Sequence, residues 1–194
     1  DHGLNASTFT ARVVSSTMSD LFSSISAAIG SLKGPLHGGA NERVMSLIRE
    51  IGEIDKVDNH IRGMVARKEK VMGFGHRVYK THDPRATYLK TMAKDLAEQT
   101  GHEHLYEISS RIEDIMNELV SSRGIYPNVD FYSATTYRSI GLEVDLFTPM
   151  FAVSRIGGWV GHVIEQLDDN RIMRPKAKYT GPHEVDYTPM DQRG

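Results

Sequence analysis

Three connections marked by glycine or proline hold the side chains whose types could do chemistry. In Gly34-Pro35-Leu36-His37-Gly38-Gly39-Ala40-Asn41 a single histidine stands just before an apolar-periodic segment. Unpaired N–H groups at a helix start disfavour imidazolium. His37 therefore reads as a neutral ring able to donate a hydrogen bond to an oxygen that gains charge. A capping histidine beside a structural turn fits the same letters. In Gly73-Phe74-Gly75-His76-Arg77 two glycines flank an aromatic ring. A flat ligand could lie on such exposed backbone with an anion beside His76 and Arg77, although phosphate-loop spacings are missing and a tight turn is the plainer alternative. In Pro127-Asn128-Val129-Asp130-Phe131-Tyr132-Ser133 a carboxylate sits in apolar company. Desolvation there would raise the Asp130 pKa and make it a competent general base, unless it only caps a helix.

Two arginines belong beside these connections. Arg85 follows Asp83-Pro84, and Arg155 sits in the mainly apolar run from Phe151 to Trp159. A guanidinium in such a run is costly unless paired, so either an anionic ligand or a buried acidic side chain is expected opposite it. His2 and Arg174 are less distinctive by themselves. No metal ligand set is expected: His-Glu-x-x-His is absent, and His102 and His104 flank Glu103 in a polar stretch. There is no Gly-x-Ser-x-Gly elbow for a serine hydrolase.

The elements that must position these residues read as helices. Apolar residues recur at helical spacing from Ala6 to about Ile29, predicting one long helix stopped by Gly30, with a Ser, Thr and Ala face on its other side. That small-residue face should pack closely on a neighbour, and the helix should be buried on most sides. Further helices are predicted around Val44 to Ile51, from about Asp58 to Lys68, after Asp83-Pro84, through Leu105 to Leu119, from Val129 to Ile140 and from Pro149 to about Leu167. The segment from Val71 to Tyr79 reads as loop or brief strand. From Asn170 onward an irregular tail is punctuated by Pro175, Gly181, Pro182 and Pro189. The fold class is all-α.

Composition narrows the remaining classes. The 194 residues hold 23 Lys and Arg against 25 Asp and Glu, a formal charge of −2. That balance argues against a broad footprint for nucleic acid or an anionic membrane. No apolar run approaches the roughly 20 residues needed to cross a bilayer. With no cysteine, disulfide frameworks and thiolate catalysis are excluded, and a reducing, cytoplasmic setting is expected.

Taken together the segments resemble the citrate synthase family across the whole chain. They are Asp1-His2-Gly3-Leu4-Asn5-Ala6-Ser7, Gly34-Pro35-Leu36-His37-Gly38, Gly73-Phe74-Gly75-His76-Arg77, Asp83-Pro84-Arg85, Pro127-Asn128-Val129-Asp130, Phe151-Ala152-Val153-Ser154-Arg155 and Arg174-Pro175, in family order. The resemblance implies a citrate synthase-like fold, with part of a large helical domain, a smaller helical domain and the active site in the cleft between them. Family members are roughly twice as long, so this chain corresponds to the C-terminal half, in bacterial or archaeal form. Residues 1–36 would be large-domain helices near a dimer interface, 37–142 the small domain, and 143–194 the return to the large domain and a tail.

By resemblance, Asp130 takes a proton from the methyl carbon of acetyl-CoA, His37 stabilises the developing enolate, and His76 polarises the ketone of oxaloacetate. His2, His76, Arg85, Arg155 and Arg174 would contact oxaloacetate, with Arg174 reaching the site of the other subunit of a homodimer. Val71, Met72, Gly73, Phe74 and Gly75 would form the backbone under the adenine of CoA, with Lys80 toward its phosphates. Acetyl-CoA enters as cosubstrate, and no tightly bound cofactor is implied. A 2-methylcitrate synthase using propionyl-CoA shares these residues, because one methylene changes discrimination by only ~1–3 kcal/mol. A non-catalytic helical interaction module is the alternative from another class.

Overall fold

The computed structural model describes residues 3–76, 79 and 81–193. Within them the chain is helical: α1 (Ala6–Ser15), α2 (Leu21–Leu32), α3 (Ala40–Ile51), α4 (Val57–Ala66), α5 (Pro84–Thr100), α6 (Glu103–Val120), α7 (Val129–Ser139) and α8 (Phe147–Asp168). The only bridge of β type among the described residues pairs Phe74 with Pro127. No described helix is long and apolar enough to cross a membrane.

Side-chain caps set several of the starts. Asn5 Oδ1 accepts from the Thr8 N–H at 3.0 Å, and Asp20 Oδ1 from the Ser23 N–H at 2.9 Å. Asp83 caps α5 with Pro84 in its first turn, and Asn128 caps α7. Each acceptor satisfies a donor that the helix leaves unpaired, worth about 1 kcal/mol.

The long first helix expected from periodicity is two helices. Met18 adopts φ +64°, a left-handed conformation that ends α1, and Asp20 starts α2 anew. Gly30 does not stop α2, which runs on to Leu32. The burial is also the reverse of a large-residue interior. Ser7, Thr8, Ala11, Ser15, Ser24 and Ala28 are buried, whereas Met18 is 71% and Phe22 84% exposed. Small side chains let α1, α2 and α8 approach closely, and the bulky apolar stripe is left on the outside of this chain.

Two cores result. The larger one joins α3 to α7, with Val44, Met45, Ile48, Ile61, Ile108, Ile112, Ile115 and Phe131 at its centre. The smaller lies among α1, α2 and α8 and consists of Ala11, Ala28, Leu32, Trp159 and Val163. At the start of α8 the two regions meet, where the Thr148 hydroxyl donates to Glu42 of α3. Beyond α8 the chain is irregular, as its prolines predict, with one short turn at Met190–Gln192.

Candidate active site

The second and third connections are stitched together by backbone. The Gly75 N–H donates to the Tyr126 carbonyl at 2.8 Å, and the Asn128 N–H to the Gly73 carbonyl at 2.8 Å. Asn128 Nδ2 adds a bond to the Gly75 carbonyl at 2.9 Å. Asn128 thus caps α7 with one end of its amide and holds the glycine loop with the other. Gly73, at φ +81°, is a packing glycine: a Cβ there would lie 2.9 Å from both Phe131 and Val44. The start of α3 therefore docks at the same point as α7 and the loop, which brings the first connection to the other two.

Of the five residues expected to lie under a flat ligand, Val71, Gly73 and Phe74 are buried and only Met72 and Gly75 are half-exposed. Phe74 packs its ring 4.7 Å from that of Phe131. Lys80, Arg77 and His2 lie outside the described residues.

Asp130 occupies the first turn of α7. It is not the cap, because the Asn128 side chain accepts its N–H at 2.9 Å. Its carboxyl is free of that structural duty, and burial pushes its pKa from 3.8 to about 7, against the pull of Arg85 and Arg155 and with a push from Asp83. A carboxylate poised near neutrality is what a general base requires.

His37 lies one turn ahead of α3. Its Nε2 is 2.8 Å from Ser7 Oγ and accepts the Ser7 backbone N–H at 3.3 Å. A backbone N–H can only donate, so Nε2 carries no proton and the neutral ring bears its hydrogen on Nδ1. The ring is held below its usual pKa by burial first and by the Arg155 charge second. Burial and the neighbouring cation thus act in the direction that the sequence reading ascribed to the helix end.

The two arginines lie within electrostatic reach of one another and of Asp130. Arg85 gives its fork to Asp83, with Nε to Oδ1 at 3.0 Å and Nη2 to Oδ2 at 2.7 Å. Asp83 is 2% exposed. Burial alone would raise its pKa, but the bonds from Arg85, with the charges of Arg85 and His76, hold it below the usual range. This aspartate thus fixes the direction of Arg85 as well as starting the helix that the Asp83-Pro84 pair predicts. The Asp-Pro-Arg spacing was the available signal, since it puts acid and guanidinium two residues apart at a helix start.

Arg155 is buried on α8 with its guanidinium 4.9 Å from the Phe151 ring centroid. Burial lowers its pKa, the Arg85 charge lowers it further, and Asp130 opposes both. Arg155 therefore feels Arg85 and Asp130 and acts on His37, while His76 acts on Asp83. His76 is half-buried, and its Nδ1 accepts the Tyr79 N–H at 3.3 Å.

Arg174 does not join this group. It is exposed in the tail, where the preceding Met173 N–H is tied to Ser16 Oγ at 3.0 Å. Ser16 follows the C-terminal end of α1, whereas His37 meets Ser7 at the opposite end, about 15 Å along a ten-residue helix. Among the described residues no group of three or more His, Cys, Asp or Glu could hold a metal ion. The arrangement can do proton transfer. It pairs a base with an apparent pKa near 7 and a neutral imidazole offering Nδ1–H, beside two guanidiniums suited to a small dianion.

A family model for the citrate synthase C-terminal domain matches residues 1–176. Citrate synthase 2 of Bacillus subtilis is 57% identical over 193 residues, covering 100% of this chain and 51% of that protein. The 2-methylcitrate synthase of Shewanella oneidensis is 46% identical over 181 residues, 93% of this chain and 48% of its own length. The structure of the Thermoplasma acidophilum citrate synthase in ternary complex with carboxymethyl coenzyme A and oxaloacetate superposes with a TM-score of 0.94 at 42% identity, covering 100% of this chain and 52% of that one. The chain spans about half the length of the relatives it matches.

Proposed function

The chain belongs to the citrate synthase family, and we propose that the protein at its full length condenses acetyl-CoA with oxaloacetate and hydrolyses the product to citrate and CoA. The observation that carries this reading is the Asp130 carboxyl near pKa 7, sharing one electrostatic neighbourhood with Arg85, Arg155 and, through Arg155, His37. The Asp130 carboxylate takes a proton from the thioester methyl carbon. As negative charge moves onto the thioester oxygen, His37 Nδ1–H donates a hydrogen bond to it. The nucleophilic carbon attacks the oxaloacetate ketone, whose oxygen becomes a hydroxyl by taking a proton from His76. Water then cleaves the citryl thioester, releasing citrate and CoA.

Arg85 and Arg155 suit the two carboxylates of oxaloacetate. The fork of Arg85 is already occupied by Asp83, so Arg85 offers its outer N–H groups, and Arg155 supplies the second guanidinium. The position of Arg174 near the far end of α1 supports its serving a second subunit of a homodimer. His2 and Lys80 remain assigned by family position alone, to oxaloacetate and to CoA phosphates. Met72 and Gly75, the half-exposed members of the five, are where the CoA adenine would rest. The separation of the two cores supports reading 37–142 as a smaller domain, with 1–36 and 143–194 belonging to a larger one.

The deciding experiment is a steady-state assay of the full-length protein with oxaloacetate, comparing acetyl-CoA and propionyl-CoA by kcat/KM. Higher efficiency with acetyl-CoA is expected. Preference for propionyl-CoA would make it a 2-methylcitrate synthase, and no turnover with either would leave a helical interaction module.

A further inference from the structure

The reading of His37 as the group that meets the thioester oxygen leaves open what holds its ring in the right tautomer and direction. Ser7 touches the imidazole twice, through Oγ and through its backbone N–H. The Ser7 hydroxyl is itself held from the other side. Trp159 of α8 donates its indole N–H to Ser7 Oγ at 3.1 Å, and Asn5 Oδ1 accepts the Ser7 hydroxyl at 2.8 Å. Trp159 is fully buried among Ala11, Ala28, Leu32 and Val163, so its ring has one seat.

We infer that Trp159 is a positioning residue for His37, acting through Ser7. An indole N–H can only donate, so Ser7 Oγ must turn a lone pair toward α8. Asn5 Oδ1 already accepts the Thr8 N–H and so faces Ser7 as an acceptor. The single Ser7 hydroxyl hydrogen therefore lies between two acceptors, Asn5 Oδ1 and His37 Nε2, each 2.8 Å from Oγ, and with the indole on the lone-pair side the Ser7 side chain has one rotamer that serves all three. That rotamer fixes the first turn of α1 so that the Ser7 N–H points at His37 Nε2. The nitrogen kept free of a proton there leaves the hydrogen on Nδ1, the nitrogen required for donation. The buried tryptophan therefore ties the orientation of an imidazole on the α3 side to the packing of α1 on α8.

The inference rests on the proposed condensation, and the two can fail separately. If the full-length wild type shows no turnover, the functional reading fails before any variant is made. Given an active wild type, Trp159→Phe keeps an aromatic ring and removes only the donor and one ring edge. Trp159→His, which keeps a ring N–H, is made beside it as the rescue, and circular dichroism checks that each folds. For Trp159→Phe we expect kcat with acetyl-CoA to fall about tenfold, with oxaloacetate affinity within about twofold of wild type, and for Trp159→His a smaller fall. The decisive step is a double-mutant cycle with Ser7→Ala. Because Trp159 acts through Ser7, the double variant should be about as slow as Ser7→Ala alone. Losses that multiply, or a lowered Tm with unchanged kcat, would show that Trp159 only fills the core and would overturn the inference.

Discussion

The bundle α3–α7 and the layer α1–α2–α8 solve the problem of burial differently. The bundle closes on itself: Val44, Ile48, Ile112, Ile115 and Phe131 are shielded by neighbours from all five helices. The layer buries a handful of small residues around Trp159 and leaves Phe9, Phe22, Ile29 and Val153 exposed. Yet the candidate site draws on both. Asp130, Arg85 and His76 come from the bundle, Arg155 and Ser7 from the layer, and His37 from the joint between them. The lesson is that stability and chemistry are distributed separately. One region supplies a rigid base on which the carboxyl can be desolvated, and the other brings a cation and a hydrogen-bonding seat against it.

The largest expected effect tests the bundle's share of the chemistry. Asp130→Asn in the full-length protein should lower turnover about a thousandfold, in the range of a lost general base, with oxaloacetate binding changed less than about threefold. Isothermal titration beside the rate assay separates the two. Next comes the packing contrast. Phe131→Ala should cost ~3–5 kcal/mol in denaturant unfolding, whereas Phe22→Ala, at a site 84% exposed in this chain, should cost under ~0.5 kcal/mol. Equal costs would dissolve the distinction between the regions.

A pH experiment sharpens the same comparison. The Asp130 pKa is raised from 3.8 to about 7 on folding. The folded chain therefore holds an extra proton between those values. The stability this contributes is complete below about pH 4 and is lost as pH rises through 7. Asp130→Asn should then be the more stable form at pH 8, by roughly 2–4 kcal/mol, with the two curves converging toward acid pH. The smallest effect concerns the arginine mount. Asp83→Asn should raise the KM for oxaloacetate about tenfold and cost about 1 kcal/mol, since an asparagine still caps α5 but cannot hold the Arg85 fork as an anion.

Much of this was legible in the letters because it depends on local rules. The Asp83-Pro84 start of α5, the apolar stripe of α6 and the turn before α7 follow from capping and periodicity alone. The break at Met18 was not legible, since the apolar period runs straight through it and only Asp20 with Ser23 signals a second start. The burial of the small-residue face, with the large one left outside, depends on which helices are near, and no single segment encodes that. Asp130 and Arg155 stood out as polar groups in apolar runs, and His37 as the histidine of a glycine-rich turn before a helix. Asn128, Ser7 and Trp159 did not, because their roles lie in bonds to residues far along the chain, whereas the tie of Asp83 to Arg85 is local and was signalled by the Asp-Pro-Arg spacing.

The central claim is that Asp130, desolvated in the bundle and facing cations from both regions, is the base of the condensation. Its most direct test is the pH dependence of kcat/KM for acetyl-CoA in the full-length wild type. The account predicts a single acid limb, with activity rising tenfold per pH unit until it levels near pH 7. A profile already flat from pH 5 upward would mean that the carboxyl ionises as an ordinary aspartate, and would contradict it.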